Sequence, residues 1–195
     1  MKRVIREKLR SLSIDILAFV SMFILLQVAV ALIFANVNFG LFDESGHLID
    51  YGFLVTYFCA TVPMLILATR YESRRYKYSM SIKASLRGLD PTTVLLCFIL
   101  LIAANITLSP LMELLPHADS SIPVGGWSLL TVCVIAPIFE ELIFRGRLFS
   151  MLNHSSSALT SAMLSAVVFG AVHGDITVMI AGVVAGMIFC YDYIS

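Results

Sequence analysis

The sequence predicts an all-α integral membrane protein, a bundle of about six spanning helices with its N-terminus in the cytoplasm. Of the 195 residues, 59% are hydrophobic and only 13% are charged, which leaves too little polar surface to cover a soluble protein of this size. The hydrophobic residues are gathered into long runs, and the positive charges lie between alternate runs. We therefore expect lipid to surround most of the chain.

Six apolar runs approach the length of about 20 residues that a helix needs to cross a bilayer. They are residues 14–35, 51–69, 92–115, 129–144, 158–172 and 176–191. The last three runs are short, and short helices with ionisable residues suit the inside of a bundle better than contact with lipid. Pro63, inside the second run, predicts a kink.

The distribution of charge predicts the orientation of the bundle. All 13 Lys and Arg residues lie in three segments, at 2–10, 70–87 and 145–147. The loops at 36–50 and at about 116–123 contain acidic residues and no base. Because cytoplasmic loops of membrane proteins are enriched in Lys and Arg, this alternation predicts a multi-pass protein with its basic segments in the cytoplasm.

Residues 70–90 interleave bases with tyrosines. This pattern predicts a helix in the membrane interface, with the tyrosines at headgroup depth and the bases against anionic lipid. A segment held between two spans is poorly placed to bind nucleic acid, so lipid is the expected partner. We divide the chain after this segment. Residues 1–91 contain the N-terminal spans and the basic interfacial segment, and residues 92–195 form a helical core.

Two adjacent carboxylates, Glu140 and Glu141, end the fourth run and are followed by Arg145. Carboxylates at membrane depth are costly, so a functional role is the default hypothesis. Glu141 and Arg145 have the spacing and order that favour a helical ion pair. Glu140 is turned about 100° away, which makes it the candidate general base. The alternative is that all three form a hydrated cluster where the helix leaves the membrane.

Phe169 and His173 lie four residues apart on one face of the fifth run. A single histidine at the end of an apolar helix is more often a hydrogen-bonded core residue than a catalyst. Counting along straight helices places His173 far from the level of Glu140. The two side chains can meet only if the polar stretch at 145–157 is itself helical or if the fifth helix is tilted.

The motifs Glu140-Glu141-x-x-x-Arg145 and Phe169-x-x-x-His173, each within an apolar segment, together resemble the CAAX prenyl protease and bacteriocin-processing family, also called the CPBP or Abi family. The resemblance covers roughly residues 125–195. It implies an intramembrane endopeptidase in which Glu140 activates the attacking water. It also implies that His173 polarises the scissile carbonyl or stabilises the oxyanion. Glu141, Arg145 and Phe169 would support the site.

The resemblance further implies a divalent metal such as zinc. Glu140 and His173 are the candidate ligands, and two protein ligands do not make a stable zinc site. The expected substrate is a membrane-associated or leader-bearing peptide. The expected location is a bacterial plasma membrane, because many short bacterial members are linked to bacteriocin processing or self-immunity.

The family pattern has a third motif, a histidine followed four residues later by Asn or Asp, which does not occur between His173 and Ser195. We expect either that the chain is a piece of a longer protein or that it has lost catalysis. In the second case its function would be that of a membrane immunity or regulatory protein that binds a membrane partner. This alternative stays open on the sequence.

Overall fold

The computed structural model describes residues 2–37, 39–77 and 123–172, together with the isolated helical residues Thr92, Ile99, Ala103, Ile106, Thr107, Ile180 and Val183. Helices make up most of these ranges. Among them, the one pairing of extended backbone is an antiparallel bridge between Phe42 and Leu48. The predicted all-α membrane bundle is confirmed.

Four helices form the described part of the bundle: α1 (Lys2–Asn36), α2 (Asp50–Tyr76), α3 (Gly126–Asn153) and α4 (Ala158–Val172). The first three are long and apolar enough to cross a membrane, and α4 is a shorter apolar helix. They contain the first, second, fourth and fifth predicted runs. The predicted spans at 92–115 and 176–191 lie outside the described residues, apart from the isolated helical positions.

Helix α2 is longer than its apolar run, and Pro63 lies inside it without interrupting it. Residues 70–76 continue the helix, which ends at Lys77 in a left-handed conformation with φ of 55°. The predicted interfacial helix therefore does not begin at residue 70. The reason is that Tyr71, Glu72 and Arg75 have partners inside the bundle, described below. Residues 78–90 lie outside the described part of the chain.

Helix α3 changes its hydrogen-bonding pattern twice. Two π-helical stretches, Thr131–Ile135 and Glu141–Leu148, flank a short α-helical stretch, Ala136–Glu140. Pro137 lies at the start of that α-helical stretch and has no N–H to donate, which is a common cause of a local shift in a helix ladder. The helix continues beyond its predicted end, and only residues 154–157 connect it to α4.

Phe144 is the centre of the hydrophobic core between the four helices. Its ring lies 5.5 Å from that of Phe19, 6.1 Å from that of Phe23 and 5.0 Å from that of Phe169. Large aromatic pairs of this kind contribute through buried area and through edge-to-face geometry. The other fully packed members come from α1, α2, α3 and α4, and they are Leu12, Met64, Ala68, Ile143, Leu148, Met151, Leu152 and Val168.

The start of α1 and the end of α2 lie together, because the hydroxyl groups of Tyr71 and Tyr76 both donate hydrogen bonds to Asp15. This end of the bundle contains the basic residues of both helices, and we call it the basic end. Arg75 Nε lies 2.6 Å from Asp15 Oδ1. Asp15 is fully buried and so has three partners from α2.

At the opposite end of the bundle, Asp50 joins α2 to α3. Its carboxylate accepts hydrogen bonds from the backbone N–H groups of Trp127 and Ser128, at 3.1 and 2.7 Å. These N–H groups lie at the start of α3, where a helix leaves its donors without partners. Gly125 provides the space, since a Cβ atom there would lie 2.1 Å from Asp50 Cγ.

Candidate active site

Glu140 and Glu141 lie at the boundary between the α-helical and the second π-helical stretch of α3. Glu140 is half-buried and Glu141 is more exposed. A π-helical turn is rare and occurs often at functional sites, because it alters the direction in which neighbouring side chains leave the helix. The local backbone therefore separates the environments of two carboxylates that are adjacent in the sequence.

Glu141 is placed beside Arg145, as their spacing predicts. Arg145 Nε lies 3.7 Å from Glu141 Oε1, and the side chains are 18% and 51% exposed, respectively. The helix does not leave the bundle at this point, since Ile143, Phe144 and Leu148 are all buried. The helix end that the hydrated-cluster alternative requires therefore does not lie at these residues.

The backbone around the carboxylates is held by hydroxyl groups from neighbouring helices. Ser165 of α4 donates a hydrogen bond of 2.9 Å to the carbonyl of Phe144, and Tyr57 of α2 donates one of 3.3 Å to the carbonyl of Ala136. Inside a bilayer, such bonds satisfy backbone groups where a helix ladder changes register. The α–π boundary at Glu140 is therefore fixed from two sides.

The contact between α3 and α4 also sets the level of Glu140. Ser165 is bonded to Phe144, and Phe169 packs its ring against Phe144. Because α3 and α4 are antiparallel, moving back four residues from Phe144 on α3 and forward four residues from Ser165 on α4 leads in the same direction along the bundle. Glu140 and Phe169 therefore lie at similar heights, which the helical extension of α3 to Asn153 makes possible. His173 lies outside the described residues.

The chain from residue 123 to residue 195 matches the model of the family described as type II CAAX prenyl endopeptidase Rce1-like. We call residues 123–195 the Rce1-like segment because of this similarity. The match confirms the resemblance seen in the two sequence motifs, and it supports a CAAX-protease-like intramembrane peptidase at the level of the family. No curated protein and no solved structure matches the chain.

Tyr57 of α2 contacts the Rce1-like segment, and nothing in the sequence indicated this contact. Its ring packs edge-on against Phe139, with centroids 6.3 Å apart, and its hydroxyl donates to the carbonyl of Ala136, in the turn of α3 that precedes Glu140. A tyrosine in an apolar run carries a polar group that needs a partner, but the sequence does not say which one. The structure adds Tyr57 to the residues around Glu140.

A cavity of about 680 Å³ lies between α1, α2 and the loop that joins them. Its walls are mostly apolar and include Val30, Phe34 and Phe53, and Tyr57 forms part of the wall. The cavity is in the half of the bundle away from the basic end. An apolar ligand in this cavity would contact Tyr57 of α2, whose ring packs against Phe139 of the Rce1-like segment.

A second polar group buried against the Rce1-like segment was also missed. Glu72 of α2 is fully buried, and its Oε2 atom lies 3.0 Å from Nη1 of Arg147, which is itself only 3% exposed. Ser150 donates a hydrogen bond to the other carboxylate oxygen of Glu72. The sequence did contain a sign that Glu72 could be buried, because this carboxylate follows an apolar run, as Glu140 does.

The implied zinc ion would need more ligands than the described residues bring together. A catalytic zinc ion in a protein has three protein ligands. Within the ranges 2–37, 39–77 and 123–172, no three His, Cys, Asp or Glu side chains lie close enough together to hold an ion. The donor set of these ranges alone therefore does not fit zinc.

Proposed function

We propose that this protein is an intramembrane endopeptidase of a bacterial plasma membrane that hydrolyses a membrane-associated or leader-bearing peptide. The observation that carries the proposal is the position of Glu140. It lies at an α–π boundary inside the Rce1-like segment, half-buried, with a tyrosine hydroxyl from another helix nearby. A carboxylate held in this way suits proton transfer to and from water.

In the proposed reaction, Glu140 takes a proton from a water molecule as the water oxygen attacks the scissile carbonyl carbon. The carbon–nitrogen bond then breaks, and the proton passes from Glu140 to the leaving amine. By the family resemblance, His173 stabilises the negative charge that develops on the carbonyl oxygen. No other co-reactant is consumed, so the products are a carboxylate and an amine.

The neighbours of Glu140 have separate roles in this proposal. Glu141 and Arg145, 3.7 Å apart, hold the first turn of the second π-helical stretch and give the second carboxylate a partner of its own. Phe169 fixes the height of α4 through its contact with Phe144. The Tyr57 hydroxyl positions Glu140 indirectly, through its hydrogen bond to the carbonyl of Ala136. An apolar part of the substrate would fit the cavity that Tyr57 borders.

The test is the Glu140→Gln variant, which keeps the shape of the side chain and removes its ability to accept a proton. We expect the cleavage rate to fall by roughly 100- to 10,000-fold, the usual effect of losing a general base. The measurement uses purified protein in lipid vesicles. The probes are fluorescence-quenched peptides with a prenylated Cys-aliphatic-aliphatic-X tail or with an unprenylated leader.

The matched control is Glu44→Gln, which makes the same change at an exposed carboxylate in the loop before α2. It is expected to cleave at the wild-type rate. Cleavage by a folded Glu140→Gln variant at the wild-type rate would sink the proposal. If the wild-type protein cleaves neither kind of peptide, the immunity or regulatory function becomes the better explanation.

A further inference from the structure

A second groove lies between α1 and α2 at the basic end of the bundle. It has a volume of about 580 Å³ and is lined by Met22, Leu67, Arg70, Tyr71, Arg74 and Arg75. The order of residues along α2 gives the groove a direction. Leu67 lies toward the middle of the bundle, and Arg70 and Arg74 follow toward its basic end. The groove is therefore apolar at its inner part and cationic at its outer part.

Arg70 and Arg74 supply the positive charge that is available in this groove. They lie four residues apart, on the same face of α2, and both are exposed. Among the residues that the structure describes, no carboxylate lies within ion-pair distance of either guanidinium group. Arg75 differs, because it is held by Asp15 at 2.6 Å and donates a hydrogen bond to Ser11.

The order of residues along α2 predicts that the two arginines lie at the depth of lipid phosphates. Arg70 is the first residue after the apolar run at 51–69, so the composition of α2 predicts that the helix reaches the membrane surface there. Tyr71 is at the same level, and tyrosines are enriched there. Guanidinium groups bind phosphate oxygens through two parallel hydrogen bonds. Basic pockets between spanning helices are suited to anionic headgroups.

We infer that this groove binds the phosphate of an anionic phospholipid, with Arg70 and Arg74 on the phosphate and an acyl chain along Met22 and Leu67. Leu67 is 41% exposed, so contact with a hydrocarbon chain removes apolar surface that is otherwise uncovered. A free phosphate ion would use the arginines alone and leave this apolar part of the groove empty. The inference does not depend on the proposed peptidase activity.

The experiment measures lipid binding to the purified full chain in detergent by native mass spectrometry. The probes are phosphatidylglycerol, phosphatidylcholine and water-soluble glycerol phosphate. The variant is Arg70→Gln with Arg74→Gln. A basic residue near a charged membrane contributes about 1 kcal/mol, so losing two should weaken binding of phosphatidylglycerol roughly 20- to 30-fold at 1.4 kcal/mol per tenfold change.

The matched control is Arg6→Gln with Arg10→Gln, which removes two exposed arginines, also four residues apart, from α1 at the same end. This control should bind phosphatidylglycerol as the wild type does. Equal losses in the two double variants would overturn the inference in favour of a general effect of charge. Equal affinity of the wild type for phosphatidylcholine would also overturn it.

Glycerol phosphate, the third probe, tests whether the groove binds the phosphate of a lipid or that of a soluble molecule. Glycerol phosphate is expected not to compete with phosphatidylglycerol at equal concentration, and competition would overturn the lipid assignment in favour of a site for soluble phosphates. Folding is checked by thermal unfolding of each variant. The single variants Arg70→Gln and Arg74→Gln provide a second measurement, because each should lose about half of the effect on a logarithmic scale.

Discussion

Tyr57 brings a hydroxyl group from α2 to the turn of α3 that contains Glu140. The hydroxyl donates to the carbonyl of Ala136, and the ring packs against Phe139. The ring contact is packing, whereas the hydroxyl fixes the backbone of the turn before Glu140. Substitution by phenylalanine separates these two contributions, because it keeps the ring and removes only the oxygen.

The Tyr57→Phe variant is expected to lower kcat by roughly fivefold with a small change in KM, since it removes the hydrogen bond to the carbonyl of Ala136 and the energy of one hydrogen bond is about 1 kcal/mol. The measurement is steady-state cleavage in vesicles. The control is Tyr51→Phe, which removes a hydroxyl of the same helix that donates 2.7 Å to the carbonyl of Gly40. A wild-type kcat in Tyr57→Phe would limit Tyr57 to a packing role.

In the candidate site, the contacts that could be predicted are those between residues close together in the sequence. Glu141 and Arg145 are one helical turn apart, and a single sequence contains that relation. Glu72 and Arg147 are 75 residues apart, and no local pattern connects them. The rule that drew attention to Glu140, a carboxylate in or beside an apolar run, applies equally to Asp15 and Glu72. The role of His173 stays a prediction.

Helix α3 shows how far apolar periodicity predicts an element. The run at 129–144 predicted a helix, and the helix exists, but it continues to Asn153. The sequence after Arg145 looks like a polar loop because it contains Arg147 and Ser150. Both are buried against Glu72, so their polarity is explained by a partner on another helix. Pro137 was the available sign that the helix is irregular.

The start of α3 depends on a close approach between Gly125 and Asp50. A Gly125→Ala substitution puts a Cβ atom within 2.1 Å of the Asp50 carboxylate and displaces it from the N–H groups of Trp127 and Ser128. Loss of a helix cap typically costs about 1 kcal/mol, and we expect a loss of this size. Thermal unfolding in detergent measures it.

The control for Gly125→Ala is the same substitution at the next residue, Gly126→Ala. A Cβ atom at Gly126 has nothing within 4 Å, so Gly126→Ala should leave the unfolding temperature unchanged or raise it slightly, because alanine is the better helix former. Equal destabilisation by both substitutions would mean that α3 requires a flexible start, and that Asp50 does not act as its cap.

At the scale of the whole molecule, buried polar contacts join the N-terminal helices to the Rce1-like segment. Glu72 bonds to Arg147 and Ser150, and Ser155, in the connection after α3, donates to Ser11 of α1 at 3.0 Å. These groups are within a largely apolar bundle, so each one without its partner would be costly. The division into residues 1–91 and 92–195 stays a prediction of sequence organisation.

The Glu72→Gln variant is expected to be strongly destabilised, by about 3 to 5 kcal/mol, because it removes the carboxylate charge that lies 3.0 Å from the buried Arg147 guanidinium. The double variant Glu72→Leu with Arg147→Met should recover most of that loss, since apolar residues of similar size can replace a buried ion pair. Thermal unfolding of the purified proteins in detergent gives the comparison.

The control is Glu7→Gln, which breaks an ion pair whose side chains are 66% and 92% exposed and should change stability little. If Glu72→Gln is no less stable than Glu7→Gln, the buried pair does not hold the two parts together. If the double variant is as unstable as Glu72→Gln, the site requires charge and not only packing.

The pairing of Glu72 with Arg147 has a consequence for biosynthesis. Asp15 finds all its described α2 partners within the first 76 residues, so the α1–α2 hairpin can satisfy it as soon as it forms. Arg147 is synthesised 75 residues after Glu72, which corresponds to roughly 4 to 15 s at about 5 to 20 residues per second. During this interval the Glu72 carboxylate has to remain at the water boundary, because a buried charge without a partner is costly. The nascent hairpin therefore becomes fully buried only when α3 arrives, so membrane insertion and tertiary assembly of this protein are coupled in time.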